Sequence, residues 1–360
     1  MRLRPLLVLA AAAMGLRAQD YFKEPTRNVW VPDYELWAMS ERMDLVPPAS
    51  DFERTRSRLR LRWTIGEDTD VFQLRLGSAH YLGSDSNADN IRWFDNEPSN
   101  GSRIDMAALR LQKLSESFGF RAEGGLVENT LIASESLWDN DLRIIGGTGN
   151  LFWRGGAGEG FHLDEIGLRG AKGKARLLDG GRVDISAGQL VVKASGAGVD
   201  ITLHGGVWTF DARPEDAANF ARQNQFPYYP GEYVDTRFRF KVYGASIALP
   251  FEFPLELKGI RHVNQDTKDR GEEFQAWLGS PAKVWWPQFG YVRQRLDRTG
   301  ALASVNGDLW WFHANADGQR YAIALNLPAR WRMEVSRVEQ TLHGASTPVK
   351  RSAVSLIKRF

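Results

Sequence analysis

Five arginines at every second position are the first feature of this sequence that could do chemistry. They lie in RTRSRLRLRW, residues 54–63, and alternate with Leu59, Leu61 and Trp63 in its second half. Because successive side chains of a β-strand point to opposite faces, a strand here would have a cationic face and an apolar face. Guanidinium groups about 6.6–6.8 Å apart repel each other and are costly to bury without water. The segment therefore predicts a hydrated cavity, or carboxylates, beside Arg54, Arg56, Arg58, Arg60 and Arg62.

Basic residues alternate with apolar ones in several later segments as well. Residues 70–79, 105–112 and 118–125 follow this pattern, and RFRFKVYG, residues 237–244, repeats the arrangement of residues 54–63. If the charged faces surround water, the wall has fewer carboxylates than cations, and a ring of charge selects ions by sign. The expectation is a preference for anions or acidic solutes. The predicted pore-lining ladder comprises Arg56, Arg58, Arg60, Arg62, Arg75, Arg110, Arg121, Arg237, Arg239 and Lys241.

The same arginines could instead have a structural role. The Asp and Glu residues of the polar segments 83–99 and 126–141 would then fold inward, pair with the arginines and hold a loop in place. The sequence leaves this reading and a direct role in solute passage open, and both can hold together.

Residues that could support catalysis or bind a metal show no recognisable arrangement. The chain has no Cys, and its six His residues are scattered without ligand spacing. H-E-x-x-H, G-x-S-x-G and a complete phosphate-binding loop are all absent. Ser78 with His80, and His343 with Ser346, are near each other in sequence, which is common by chance. We therefore expect no enzyme activity, no metal and no cofactor.

The bulk composition and the N-terminus indicate an exported protein. The 46 Lys and Arg against 44 Asp and Glu are too balanced to favour a nucleic-acid partner. Arg2 and Arg4 precede an apolar run from Leu6 to Leu16, and Ala18 offers a small residue for cleavage, which is typical of a secretory signal. We expect a signal peptide over 1–18, a periplasmic segment over 19–33 and a barrel over 34–360.

The connectors between the alternating segments have two lengths. Tight ones lie near 66–69, 115–117, 281–283 and 327–331, whereas long polar ones cover about 80–103, 126–141, 208–236, 295–319 and 340–351. Short periplasmic turns that alternate with long outer loops are typical of a membrane β-barrel. Parity of the strands requires one further strand at 34–43, despite its poor alternation. The prediction is an all-β, up-and-down antiparallel transmembrane barrel of about 16 strands, with the loop at 211–235 either covering its mouth or folding inward.

The sequence also resembles the porin family of Gram-negative bacteria. RSRLRLRW resembles the family's arginine-rich first descending strand, SLWDNDLRIIGG (136–147) its W-D-x-D-L loop, and the segments 238–267 and 283–297 its later strands. Phe360 resembles the terminal aromatic residue that barrel-assembly machinery reads. The resemblance implies a barrel of about sixteen strands that passes small hydrophilic solutes. It also implies outer-membrane lipid and lipopolysaccharide as surroundings, and a possible homotrimer.

Two other kinds of protein remain open from the sequence. A non-conducting outer-membrane barrel could act in adhesion or as an envelope scaffold if loops plug its lumen. A soluble periplasmic β-sandwich would bury the apolar faces in a core and would need no detergent. The preferred prediction is a porin, a passive diffusion channel with a basic lumen.

Overall fold

A computed structural model describes residues 33–45, 51–66, 71–84, 100–155, 160–177, 182–212, 237–307 and 309–359 of the chain. Four sequence predictions fall mostly or wholly outside these residues: the signal peptide, the periplasmic segment, the fold of the long loop at 211–235 and the terminal Phe360. Of the helices in the described ranges, none has the length and apolar character needed to cross a membrane.

The described chain forms sixteen antiparallel strands in a closed up-and-down barrel, which confirms the predicted fold class. Each strand pairs with its neighbours in sequence, and β1 pairs with β16 to close the sheet. The strands are β1 (Asp33–Asp44), β2 (Phe52–Ile65), β3 (Phe72–Ser84), β4 (Gly101–Leu114), β5 (Phe118–Glu128), β6 (Arg143–Arg154), β7 (His162–Arg176), β8 (Arg182–Gly196), β9 (Val199–Ala212), β10 (Arg237–Leu249), β11 (Leu255–Asn264), β12 (Arg270–Leu278), β13 (Pro287–Leu296), β14 (Ala316–Leu327), β15 (Trp331–Leu342) and β16 (Val349–Arg359).

The strand expected at 34–43 is β1, and its weak alternation has a physical cause. Its inward face carries Met39 and Met43 beside the acidic Glu41, and these three side chains are all buried. The outward face carries Ala38 and Ser40, which are small. Neither face is uniformly apolar or uniformly charged, so the periodicity is hard to read, although the backbone pairs fully with β2 and β16.

The two ends of the barrel differ in the length of their connections. β1 begins and β16 ends at the same end, called here the terminus end; the other is the loop end. Connections at the terminus end are short; the shortest is 197–198 and the longest is 279–286. The longest connections, 85–100, 129–142, 213–236 and 297–315, all lie at the loop end, as the sequence predicts. The loop end also has short connections, at 177–181, 265–269 and 343–348; the last was predicted to be long, because β15 and β16 extend farther toward it than their alternation indicates.

The two faces of the sheet differ in polarity, and the apolar face is the outer one. Large apolar side chains are exposed on the outer face of strands all around the barrel, for example Leu76, Leu109, Leu168, Leu203 and Ile323. Many charged side chains are instead buried inside it, as described below. This is the opposite of a soluble sandwich, whose apolar faces would meet each other in a core.

Candidate functional site

The arginines of β2 face the barrel interior. Arg54, Arg56, Arg58 and Arg60 are each at most 9% exposed, whereas Leu59 and Leu61 point outward. Arg62 also faces inward and is partly exposed. The structure therefore brings the β2 arginines together on one stretch of the inner wall.

Three further predicted residues extend this wall across neighbouring strands. Arg75 on β3, Arg110 on β4 and Arg121 on β5 are buried and point inward. Glu123 joins two of them, since its carboxylate lies 2.9 Å from Arg75 and 2.6 Å from Arg110. Seven of the ten predicted ladder residues thus face the interior.

The wall contains carboxylates that the sequence analysis did not assign to it. Glu41 on β1 pairs with Arg54 and, at 2.5 Å, with Arg351 of β16. These contacts join the first, second and last strands where the barrel closes. Glu41 was missed because β1 alternates poorly, so its inward positions could not be read from the pattern.

A second set of missed carboxylates lies on β4 and near the start of β1. Asp105 lies 2.7 Å from Arg143 and 3.5 Å from Arg60. Glu35 is 2.9 Å from Arg58. Closely spaced arginines tolerate burial here because each carboxylate contacts several guanidinium groups at once.

We call this set of inward charges the arginine cluster. It retains an excess of positive charge, because it contains eleven arginines and six carboxylates. Its members are Arg54, Arg56, Arg58, Arg60, Arg62, Arg75, Arg103, Arg110, Arg121, Arg143 and Arg351, with Glu35, Glu41, Asp105, Glu123, Glu128 and Asp141.

Loop 129–142, between β5 and β6, folds inward and is attached to the arginine cluster. The carboxylate of Asp141 accepts hydrogen bonds from Arg58 at 2.8 Å and from Arg60 at 2.5 Å. The predicted pairing between the ladder and an acidic loop at 126–141 is therefore confirmed. Burial alone would raise the pKa of Asp141, but the guanidinium groups of Arg58 and Arg60 outweigh it and hold this pKa well below its ordinary value.

Other contacts carry the same loop across the lumen. Gln189 of β8 exchanges two hydrogen bonds with the backbone of Ile132, both at 2.9 Å. Ser136 lies 3.0 Å from a ring nitrogen of His262 on β11. Together with the pairing of Asp141 to the arginines of β2, these anchors stretch loop 129–142 from one side of the barrel to the other.

An apolar cluster occupies the lumen beside this loop, with members on β4 to β10 and Ile260 of β11 packed against it. We call it the apolar plug. Trp138 of the loop lies 6.3 Å from the ring of Trp208 and 6.4 Å from the ring of Phe210, with Phe238 and Phe240 next to them. All five aromatic side chains are at most 2% exposed. The interior at this level is therefore packed on one side and charged on the other.

Removing the loop's tryptophan should reveal how much the apolar plug stabilises the barrel. Trp138→Ala deletes a fully buried side chain and leaves a cavity, so we expect a loss of about 3–5 kcal/mol in the free energy of unfolding. Trp285→Ala is the matched control, because Trp285 is 62% exposed at the terminus end. The measurement is denaturant unfolding in detergent; equal losses in both variants would contradict the packing described here.

Gly271 of β12 is required for the anchor at His262. The two residues are directly opposite in the β11–β12 ladder, and a Cβ on Gly271 would lie 1.9 Å from the His262 ring. Gly271→Ala must displace this ring and its contact with Ser136, at an expected cost of about 1–3 kcal/mol. Gly259→Ala on β11 is the control, since a Cβ there meets nothing within 4 Å. The two variants are unfolded in the same denaturant series. Equal free energies of unfolding would show that Gly271 does not hold the His262 ring in place.

Three predicted ladder residues do not face the interior, and this part of the prediction is corrected. Arg237, Arg239 and Lys241 are exposed on the outer face of β10, while the alternate residues Phe238 and Phe240 are buried in the apolar plug. Alternation shows that the two faces differ but not which face is inside. On β10 the inner face packs within the apolar plug, so its apolar side is the inner one.

The described lumen also contains an open cavity of about 560 Å³ toward the terminus end. Its lining is mixed: apolar side chains alternate with charged ones of both signs, among them Arg121, Lys193 and Arg154 together with Glu165 and Asp200. Within the described residues, no group of three His, Asp or Glu side chains is arranged to hold a metal ion.

Comparisons with known proteins give the fold. No protein-family model matches the sequence, and no curated protein matches it. Pseudomonas putida OprB is similar in structure, at 9% identity and a TM-score of 0.57, over 91% of this chain and 94% of that one. Salmonella typhi OmpF, solved in complex with daunomycin, has 12% identity and a TM-score of 0.50 over 91% and 97%. A BenF-like porin from Pseudomonas fluorescens has 7% identity and a TM-score of 0.50 over 92% and 98%. The chain thus has the fold of outer-membrane porins, as its sequence resemblance implies.

Proposed function

We propose that this chain is an outer-membrane porin, a passive diffusion channel for small hydrophilic solutes with a basic, anion-leaning lumen. One observation carries the proposal: the closed barrel exposes apolar side chains outward and keeps a charged cluster inside. Leaving a Leu, Ile or Phe side chain in water rather than in an apolar surrounding costs about 1.5–3 kcal/mol. Because such residues occur on the outer face all around the sheet, hydrocarbon is the surrounding that suits this surface.

The charge of the lumen supports the anion preference. The arginine cluster has more guanidinium groups than carboxylates, and it lines the part of the wall that faces loop 129–142. Fixed charges beside a narrow aqueous path attract ions of the opposite sign. An anion passing between the loop and the wall would therefore be favoured over a cation of the same size.

A second candidate function is a non-conducting barrel that serves in adhesion or as a scaffold of the envelope. The apolar plug favours it, since loop 129–142 and residues of 297–315 pack tightly at one level of the lumen. The two candidates differ in one property, namely whether small solutes cross.

Finer features belong to the same proposal. The terminus end would face the periplasm after removal of residues 1–18, and Phe360 would be read by the barrel-assembly machinery. Outer-membrane lipid, including lipopolysaccharide, would surround the barrel, and three copies could form a homotrimer.

The test of the proposed channel is conductance of the purified protein in planar bilayers under a salt gradient. We expect discrete conductance steps and a reversal potential that indicates anion preference. A reversal potential that indicates cation preference would contradict the basic lumen. Liposomes that contain the protein should also swell in small sugars, and failure to swell together with a lack of conductance would favour the scaffold.

A further inference from the structure

Three polar side chains meet on the outer face of the barrel, between β3 and β4. The hydroxyl of Ser78 lies 3.1 Å from Nε2 of His80, and the hydroxyl of Ser102 lies 2.8 Å from Nδ1 of the same ring. Ser78 and His80 are alternate residues of β3 and share its outer face, and Ser102 is directly opposite His80 in the ladder. The sequence places the first two near each other, and the fold brings the third to them.

The surface around these three residues is apolar. Leu76 and Leu82 are exposed on β3 on either side of the Ser78 and His80 pair, and Ile104 of β4 is exposed directly opposite Ser78. If this band contacts hydrocarbon, a histidine here is an ionisable group at membrane depth. Such groups are costly to keep, and their usual role is functional. The site opens outward, away from the lumen, so the proposed passage of solutes does not account for it.

A β-bulge adjoins the Ser78 hydroxyl. The register between β3 and β4 shifts between Gly77 and Ser78, which leaves Asp105 without a partner on β3. Bulges re-aim side chains and are frequent beside active sites. Here Ser78 is half-buried against the wall, whereas His80 is exposed. The hydroxyl is thus held below the ring, and both are open to a molecule that lies along the outer surface.

The order of these contacts is that of a hydrolytic serine site. A serine hydroxyl becomes a strong nucleophile when a neighbouring base accepts its proton, and a third group must orient that base. If Nδ1 of His80 donates its proton to the Ser102 hydroxyl, Nε2 is left as the acceptor for the proton of Ser78. Ser102 is then a positioning residue, because it acts through His80.

From this geometry we propose that Ser78, His80 and Ser102 form an esterase site for acyl esters of membrane amphiphiles, in addition to the proposed channel. Ser78 Oγ bonds to the ester carbonyl carbon while Nε2 of His80 takes its proton. The C–O bond to the alcohol then breaks, and this proton passes to the leaving alcohol. Water attacks the acyl-serine and gives one proton to His80. The fatty acid is released, and that proton returns to Ser78.

The apolar surroundings determine the class of substrate. The exposed side chains of Leu76, Leu82 and Ile104 offer contacts to an acyl chain, whereas a small water-soluble ester would gain little from them. A membrane amphiphile would place its ester group near Ser78 while its chain stays in hydrocarbon. We therefore expect long-chain esters to be hydrolysed faster than acetyl esters of the same alcohol.

Hydrolysis by the purified protein in mixed micelles tests this inference. The probe is a long-chain phospholipid, and the release of fatty acid is measured. S78A and H80Q remove the nucleophile and the base, so each should lower the rate by roughly a hundredfold or more. S102A should lower it less, and S102T should restore it because the hydroxyl is kept. S84A is the matched control, since Ser84 is an outward serine of β3 whose hydroxyl lies 2.9 Å from that of Thr55.

Covalent labelling gives a second readout that does not depend on turnover. A long-chain alkyl fluorophosphonate should modify Ser78 in the unmodified protein and in S84A but not in H80Q, as located by mass spectrometry. Hydrolysis that is no faster in the unmodified protein than in S78A, or a failure of Ser78 to be labelled, would overturn the inference.

Conductance of the same preparations separates this inference from the proposed function. A barrel that conducts but does not hydrolyse the ester rejects only the esterase site. A barrel that hydrolyses the ester through Ser78 but does not conduct supports the esterase site and rejects the channel.

Discussion

Replacing Asp141 with asparagine is expected to widen the channel and to increase its preference for anions. The substitution removes the carboxylate that Arg58 and Arg60 share, and with it the anchor of loop 129–142 on the β2 side. Hydrogen bonds to charged groups contribute about 1.5–3 kcal/mol each, so the loss of two shifts the loop toward its detached position by roughly a hundredfold or more. The lumen also gains one net positive charge, which favours anions further.

Acidification should have the same effect as this substitution, but only at very low pH. Because the pKa of Asp141 is depressed in the folded protein, its stabilising contribution is complete above the ordinary Asp pKa of about 3.9. That contribution is lost as the pH falls through the depressed pKa of the folded state. Conductance that depends on this anchor should therefore stay constant between pH 7 and pH 5.

The measurement is single-channel conductance and reversal potential of D141N beside the unmodified protein. D266N is the matched control, since Asp266 is also a loop carboxylate that pairs with a strand arginine, Arg239, but outside the lumen. Unchanged conductance and selectivity in D141N, or the same change in D266N, would contradict the role given to the loop.

Replacing Arg58 and Arg60 together with glutamine should also release the loop, but should change selectivity in the opposite direction. Asp141 would then be left as a largely buried carboxylate without its two partners, at a cost of about 3–5 kcal/mol. The excess of positive charge in the arginine cluster would fall by two. We expect larger conductance, as in D141N, with a weaker anion preference.

The two substitutions are expected to change selectivity in opposite directions. The effect of releasing the loop can therefore be separated from the effect of the charge in the lumen. The triple variant R58Q/R60Q/D141N should be more stable than R58Q/R60Q, because the uncompensated carboxylate is gone. The control R261Q/R337Q removes two outward arginines and should leave selectivity unchanged. If R58Q/R60Q became more anion-selective than the unmodified protein, the account of the basic lumen would be wrong.

The two arginine-rich segments show what the sequence could and could not predict. Both 54–63 and 237–244 alternate strongly, so both are recognisable as strands, and connector lengths suffice to place the barrel's two ends. The inward direction of the charges was correct for β2, where Glu41 and Asp141 meet them. It was wrong for β10, because the packing of a distant loop decides which face is inner there.

The carboxylates of the site were harder to predict for a related reason. Asp105 interrupts the alternation of β4 beside a register shift opposite Gly77 and Ser78 of β3, and Glu41 lies on the poorly patterned β1. Asp141 was within the predicted acidic loop. Its pairing with Arg58 and Arg60 depends on the path of that loop across the lumen, which the contacts of Trp138 and Ser136 hold in place. Such contacts are non-local, and strand periodicity contains no information about them.

Thiol labelling of two adjacent positions tests the central claim most directly, because the chain has no cysteine of its own. Thr202 lines the interior cavity and Leu203 is 52% exposed on the outer face of the same strand. In lipid vesicles, a water-soluble maleimide should modify T202C quickly and L203C hardly at all, because water fills the barrel and hydrocarbon surrounds it. Rapid modification of L203C in vesicles, with T202C protected, would contradict the account.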